Sequence, residues 1–187
     1  HGHGAGVFAL YGRGAPLAYF SHRRLREKPP SGGVSVWCES AEVAPRLQQS
    51  AARLLQHVGW HGAAMVEFKV AADGTPYLME INARLWGSLQ LAIDAGVDFP
   101  YLLYCLARGE SVAAVPSYRV GTRSRWLLGD LDHLYLTLKG KAPLKHKLAT
   151  LAAVANPWPP RTRYEINRWD DLAPFGLELR RYLGLGD

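Results

Sequence analysis

MVEFKV (residues 65–70) and YLMEIN (77–82), with Asp73-Gly74 between them, decide how this chain is read. Both runs suit strands, and Asp-Gly between two such runs is a strong signal for a two-residue hairpin turn. With Asp73 and Gly74 as the turn, Ala72 faces Thr75 and Glu67 faces Glu80. Side chains alternate between the faces of a strand. One face then holds Val66, Phe68, Val70, Tyr77, Met79 and Ile81, and is the expected core side. The other holds Glu67, Lys69, Glu80 and Asn82, with Arg84 just beyond the strand.

Facing residues of an antiparallel pair have Cβ atoms about 4.5–5.5 Å apart, and like charges placed so destabilise a sheet. Two carboxylates this close also raise at least one pKa unless a cation intervenes. A divalent ion supplies a reason for the pair. Magnesium takes hard oxygen ligands, a few from carboxylates and the rest from phosphates and water. Asn82, on the same face as Glu80, adds a neutral oxygen. The same residues also read as a solvent-facing strand side relieved by Lys69, and a one-residue register slip would separate the two acids. Arg84 and the helix expected soon after it both favour phosphate oxygens, an order that suits the terminal phosphates of ATP.

Working outward, VFALY (7–11) and LAYF (17–20) flank Gly12-Arg13-Gly14 and read as a second hairpin. Residues 21–35 are basic, then rich in Pro, Gly and Ser, and read as a loop. A helix is expected over 41–58, with Pro45 in its first turn, apolar residues at helical spacing and Gly59 at its end. A helix from about Ser88 to Ala95 stops at Gly96, and another opens at Pro100 and runs to Gly109. Past Pro116 the character changes: YRVGTRSRW reads as a strand, GDLDHLYLTLKG as a helix capped by Asp130, and 144–155 as a helix leading to the breaker at Asn156-Pro157. The expected class is α+β, an antiparallel sheet flanked by helices over 1–116, followed by a mostly helical appendage over 117–187.

Of the 187 residues, 48% are hydrophobic and 20% charged, an ordinary globular composition. No apolar run approaches the roughly 18 residues that span a bilayer, so no membrane partner is expected. The opening HGHGAG shows neither an initiator methionine nor a signal-peptide pattern, and is expected to be a cut inside a longer protein. It lacks the Lys-Ser/Thr of a phosphate loop and reads instead as the continuation of a strand. Cys38 and Cys105 have no CxxC partner and are expected as buried free thiols of a cytoplasmic protein. The net charge of +6 favours anionic partners, with basic clusters at Arg23, Arg24, Arg26 and at Arg119, Arg123, Arg125. The second cluster shares a parity and reads either as a face that meets an anionic substrate or as an exposed basic face; Trp158 and Trp169 read as packing residues.

Glu67, followed by MEINAR at 79–84, resembles the ATP-grasp superfamily. FSHRRLREKPPSGG (20–33) and LWGSLQLAIDAGVDFPYLL (85–103) are similar to the flanks of that site in biotin carboxylase-like and carboxylate–amine ligase members. The resemblance covers residues 5–109 and implies the C-terminal part of an ATP-grasp domain, with the adenine-contacting hinge and a smaller lobe lying upstream. It implies that Glu67, Glu80 and Asn82 hold magnesium or manganese, and that Arg84 contacts the transferred phosphate. It further places Lys69, His22 and Arg24 among the ATP-binding residues.

The implied activity is a ligase that activates a small carboxylate as an acyl-phosphate for attack by an amine, forming a carbon–nitrogen bond. Two other readings stay open: an ATP-grasp kinase or inactive relative, and a basic module for nucleic acid or an acidic partner. No nucleic-acid fold signature is present, so nucleic acid is not the expected partner.

Overall fold

The structure, a computed structural model, describes residues 2–185. His1, Gly186 and Asp187, the outer ends of the two expected domains, lie outside the described residues. The described residues form seven strands and six helices, an α+β architecture. They divide into two compact units, residues 2–23 with 40–121, and residues 24–39 with 122–185. The chain crosses between these units after Arg23, Glu39 and Gly121, so segment 24–39 groups with the C-terminal residues.

In the first unit, strands β1 (Gly2–Gly12), β2 (Ala15–Lys28), β4 (Gly62–Ala71) and β5 (Pro76–Asn82) run antiparallel in the order β5-β4-β1-β2. Strands β2 and β3 (Val34–Ala41) each pass from one unit into the other. The β1/β2 turn has Arg13 and Gly14 at φ 50° and 82°, the pair of positive values that a twisted two-residue hairpin requires. One face of this sheet carries Val7, Ala9, Tyr11, Ala64, Val66 and Phe68. Against it lies α1 (Pro45–His57), which buries Leu47, Ala51 and Leu55 at four-residue intervals, one stripe of a helix. Full burial of a Leu such as Leu55 contributes about 1.5–3 kcal/mol.

The β4/β5 turn differs from the expected Asp-Gly turn. It is a three-residue loop: the Gly74 N–H donates to the Ala71 carbonyl at 3.0 Å and the Ala71 N–H to the Thr75 carbonyl at 2.9 Å. Asp73 Oδ1 accepts the Thr75 N–H at 2.9 Å, which with the Asp73–Thr75 side-chain contact holds its carboxyl below the usual range. The loop shifts the register by one residue, so Lys69 faces Tyr77 and Phe68 faces Leu78. A bulge at Met79 shifts it back, and Glu67 faces Glu80 after all. The core side of β5 is therefore Leu78 and Ile81, not Tyr77 and Met79, and even those two stay 48% and 39% exposed. Gly74 sits at φ +81°, and a methyl group added there would meet only Arg46 Nη1, at 4.0 Å. Gly74→Ala is thus expected to cost about 1 kcal/mol through backbone strain alone, read as a lowered urea midpoint with unchanged slope.

Helices α2 (Leu89–Ala95) and α3 (Phe99–Ala107) follow the hairpin. Gly96 ends the first in the left-handed conformation, as expected, and the Asp98 carboxylate caps the second by accepting the Tyr101 N–H at 3.0 Å. Residues 110–121 return without regular structure. They are tied by the half-buried Tyr118, whose hydroxyl donates to the Ala41 carbonyl and accepts the Ser21 N–H, and whose partial burial pushes its pKa up to about 12.

In the second unit β6 (Arg123–Arg125) pairs antiparallel with β3 and parallel with β7 (Thr162–Tyr164), accompanied by α4 (Leu127–Lys139), α5 (Leu144–Ala155) and α6 (Ala173–Tyr182). Three expectations change here. Residues 21–28 are strand rather than loop; their basic side chains are bound, with Arg26 4.4 Å above the Trp37 ring and 3.0 Å from Asp130. The strand expected over 118–126 shrinks to three residues, because Arg119 reaches away to the Asp94 carbonyl at 2.6 Å and Gly121 breaks the chain at φ +83°. Asp130 does not cap α4; it lies inside the first turn, fully buried against Arg125 at 2.7 Å. Cys38 and Cys105 are buried free thiols. No helix among the described residues is long and apolar enough to cross a membrane.

Candidate ATP and metal site

Residues facing one another across an antiparallel ladder project from the same side of the sheet. Asn82 faces Met65, Met65 faces Phe8 and Phe8 faces Phe20, giving one row. Glu80 faces Glu67 and Glu67 faces Gly6, giving the next. Lys69 lies between Tyr77 and Gly4 in a third. The face opposite α1 thus carries all four charged or amide residues expected there, and the bulge preserves the grouping.

The two carboxylates converge on one amide. Asn82 Nδ2 donates to Glu80 Oε1 at 2.8 Å and stands 3.5 Å from Glu67 Oε2. The Asn82 hydrogen bond, then one with Glu67, and the charge of Arg84 hold the Glu80 carboxyl below the usual carboxylate range. Removing the first of these in Asn82→Ala is expected to raise the Glu80 pKa, measured by carboxyl NMR titration. Glu80 is exposed and Glu67 half-buried, so the pair opens to solvent. Among the described residues no three or more of His, Cys, Asp and Glu group as a metal cluster, so any ion here rests on two carboxylates and an amide. That donor set fits a hard divalent cation: oxygen ligands from two acids, with room for phosphate and water. Amide O and N are interchangeable by a flip, so Asn82 presents either Nδ2 to the acids or Oδ1 to a cation.

The floor beside the acids is bare at Gly4, while the Phe8 ring lies over Gly6, 3.4 Å from where a Cβ would stand. Gly6 has no side chain opposite Glu67, and a methyl group at Gly4 would meet nothing within 4 Å. Phe8 and Trp86 stack with centroids 4.3 Å apart, and Trp86 meets Phe99 at 4.9 Å, closing the inner end of the face. Sequence reasoning singles out none of Gly4, Gly6, Phe8 and Trp86. A signal for the glycines is present in HGHGAG, where they alternate at the parity of Glu67 once β1 and β4 are paired.

His22 lies on this face, its ring edge-on to Phe8 at 5.0 Å. The Arg84 Nη1 donates to the Leu85 carbonyl at 3.1 Å, with its charge felt at Glu80. Arg24 belongs to the second unit and its guanidinium pairs with Glu27 at 2.9 Å. The basic face expected of Arg119, Arg123 and Arg125 does not form: Arg119 binds the Asp94 carbonyl, Arg123 pairs with Glu39 at 2.8 Å, and Arg125 is fully buried.

Residues 21–129, more than half of the 187, match the family model described as ATP-grasp in the biosynthetic pathway with Ter operon. The chain belongs to the ATP-grasp family. Solved structures share the ATP-grasp fold with it. The phosphoribosylaminoimidazole carboxylase ATPase subunit from Aquifex aeolicus superposes with a TM-score of 0.53 at 14% identity, covering 64% of this chain and 38% of its own. A biotin carboxylase–β,γ-ATP complex from Campylobacter jejuni gives 0.51 at 18% identity, over 64% of this chain and 28% of that one. L-amino acid ligase from Bacillus licheniformis gives 0.50 at 21% identity, over 65% and 32%. This ATP-grasp chain therefore spans 28–38% of the length of those three proteins. No curated protein matches it closely enough to be called a relative.

Proposed function

We propose that this chain is the metal- and phosphate-holding part of an ATP-dependent ligase that joins a small carboxylate to an amine. The observation that carries the reading is the convergence of Glu67 and Glu80 on Asn82 across a bulged hairpin, open to solvent. Membership of the ATP-grasp family and likeness in fold to an amino acid ligase and to a carboxylase bound to an ATP analogue support it.

In this reading Glu67, Glu80 and Asn82 hold magnesium or manganese. The bound ion supplies neutralisation of the negative charge that builds on the phosphates during transfer. Arg84 holds an oxygen of the transferred phosphoryl group. Lys69 and His22 line the nucleotide's approach on the same face, and Arg24 is the expected contact whose role is weakest, given its pairing with Glu27. The bare floor at Gly4 admits the phosphates close to the backbone, and the Phe8–Trp86 stack excludes water from the inner end.

The γ-phosphoryl passes from ATP to the substrate carboxylate, leaving ADP. The amine then attacks the acyl-phosphate carbon, the amide forms and inorganic phosphate leaves. No protein nucleophile is consumed. Other lobes of the same polypeptide would supply the adenine and substrate contacts.

The ion pairs of Arg24, Arg26, Arg123 and Arg125 favour the ligase over a basic docking module, since each of these cations already faces an acid. The test is ADP release by the complete polypeptide, screened over small carboxylates and amino acids with and without magnesium. Release that needs magnesium and both substrates supports a ligase; release that needs only one acceptor supports a kinase.

A further inference from the structure

Apolar side chains stay exposed in both units. Trp158 and Trp169 of the second, expected to pack, are 79% and 89% exposed, and the nearby Arg163 and Arg168 are already engaged. In the first unit the core cluster takes side chains from β1, β4 and α1 and none from β5. Leu78 and Ile81, on the α1 side of β5, instead line a cavity of about 640 Å³. Val58 and Trp60 line it from the end of α1 onward, and the buried Leu55 and Phe68 form its floor. The wall at Trp60 is pinned: its N–H donates to the Leu55 carbonyl at 2.9 Å, and its carbonyl accepts the Gly14 N–H at 2.8 Å.

The size and lining suit a small molecule, since such sites run from about 300 to 1,000 Å³ and are mostly apolar with a few polar groups. Here the charged and hydroxyl groups all come from α1. Ser50, Arg53 and His57 follow at three- and four-residue spacing, one stripe of that helix. Arg53 and His57 are exposed, and neither makes a hydrogen bond or ion pair with a described residue. No Asp or Glu is among the described residues that line the cavity. A guanidinium fork with no acid to balance it takes a carboxylate, and a trough of aliphatic side chains takes a flexible hydrocarbon tail. The geometry points to a binding site for a medium-chain alkyl carboxylate, its head on Arg53 and its tail along Val58, Leu78 and Ile81. Leu78 and Ile81 lie on the sheet face opposite Glu67, Glu80 and Asn82, so occupancy does not depend on the acid pair.

Decanoate is the probe, titrated calorimetrically into the complete 187-residue chain in physiological salt, with decylamine as the cation of the same tail. Saturable one-site binding is expected, at least about tenfold tighter for decanoate than for decylamine. Octanoate, two methylenes shorter, should bind roughly tenfold more weakly than decanoate, since each buried methylene is worth about fourfold. Arg53→Gln removes an exposed charge, so the melting temperature should stay unchanged while decanoate affinity falls by about tenfold. The site is overturned if decanoate shows no saturable binding at millimolar concentration, if decylamine binds equally well, or if Arg53→Gln binds as the parent does. Concentration-dependent self-association that Leu78→Ser abolishes, without decanoate binding, would overturn it in favour of a contact between copies.

Discussion

If the proposed function holds, Glu80→Gln in the complete polypeptide should lower magnesium-dependent ADP release by about a hundredfold or more, and Asn82→Ala should lower it comparably. Glu80 is exposed and Asn82 half-buried at the open end of an edge strand, so neither change empties the core. Gln keeps the shape and the Asn82 contact of Glu80 but removes the charge. One carboxylate, Glu67, would then remain to hold the proposed divalent ion beside the phosphates. Losing roughly 3 kcal/mol of charge stabilisation in the transition state corresponds to about a hundredfold in rate. The far-ultraviolet spectrum and melting temperature should match the parent. Near-normal turnover in both variants would remove the site from the mechanism.

The second large effect is on stability. Asp130→Asn should destabilise the second unit by about 3–5 kcal/mol, the usual cost of stripping one partner from a buried ion pair. Asp130 and Arg125 have fully buried side chains, and Arg26 is only 10% exposed. Asp130 Oδ2 meets Arg125 Nε at 2.7 Å and Arg26 Nη2 at 3.0 Å, so one acid balances two cations. Arg125 keeps its bonds to the Val154 and Asn156 carbonyls, both 2.7 Å, but those dipoles do not replace a charge. Asn fills the same volume, so the loss reports charge rather than a cavity. The control is Glu27→Gln, which breaks the Arg24–Glu27 pair, 41% and 28% exposed. Pairs at the surface are worth about 0–1 kcal/mol, so its thermal unfolding should barely move.

The chemistry is more legible in the sequence than the path of the chain. Counting from an Asp-Gly turn puts Glu67 and Glu80 opposite each other, and they are opposite. The counting passes over two one-residue shifts that cancel: a loop that begins at Ala72, and a bulge at Met79. A bulge at a methionine has no local residue signature, and its cost appears in Tyr77 and Met79, which simple alternation assigns to the core and which point elsewhere. Residues 21–28 mislead for a different reason. SHRRLREK carries the charge of a loop, and only the tertiary partners Trp37 and Asp130 make a strand of it. Arg125 looks like a surface cation for the same reason; its acid lies five residues on, at a spacing that follows from a strand running into a helix. Helix α1 and the Gly96 stop are readable because their determinants, a helical apolar stripe and a left-handed glycine, are local.

Manganese titrated into the chain, followed by carboxyl NMR, bears most directly on the acid pair. Selective paramagnetic broadening of Glu67, Glu80 and the Asn82 amide, lost in Glu80→Gln, is the expected result. Broadening spread evenly over the surface acids, with those three signals untouched, would contradict a cation held between the opposed carboxylates.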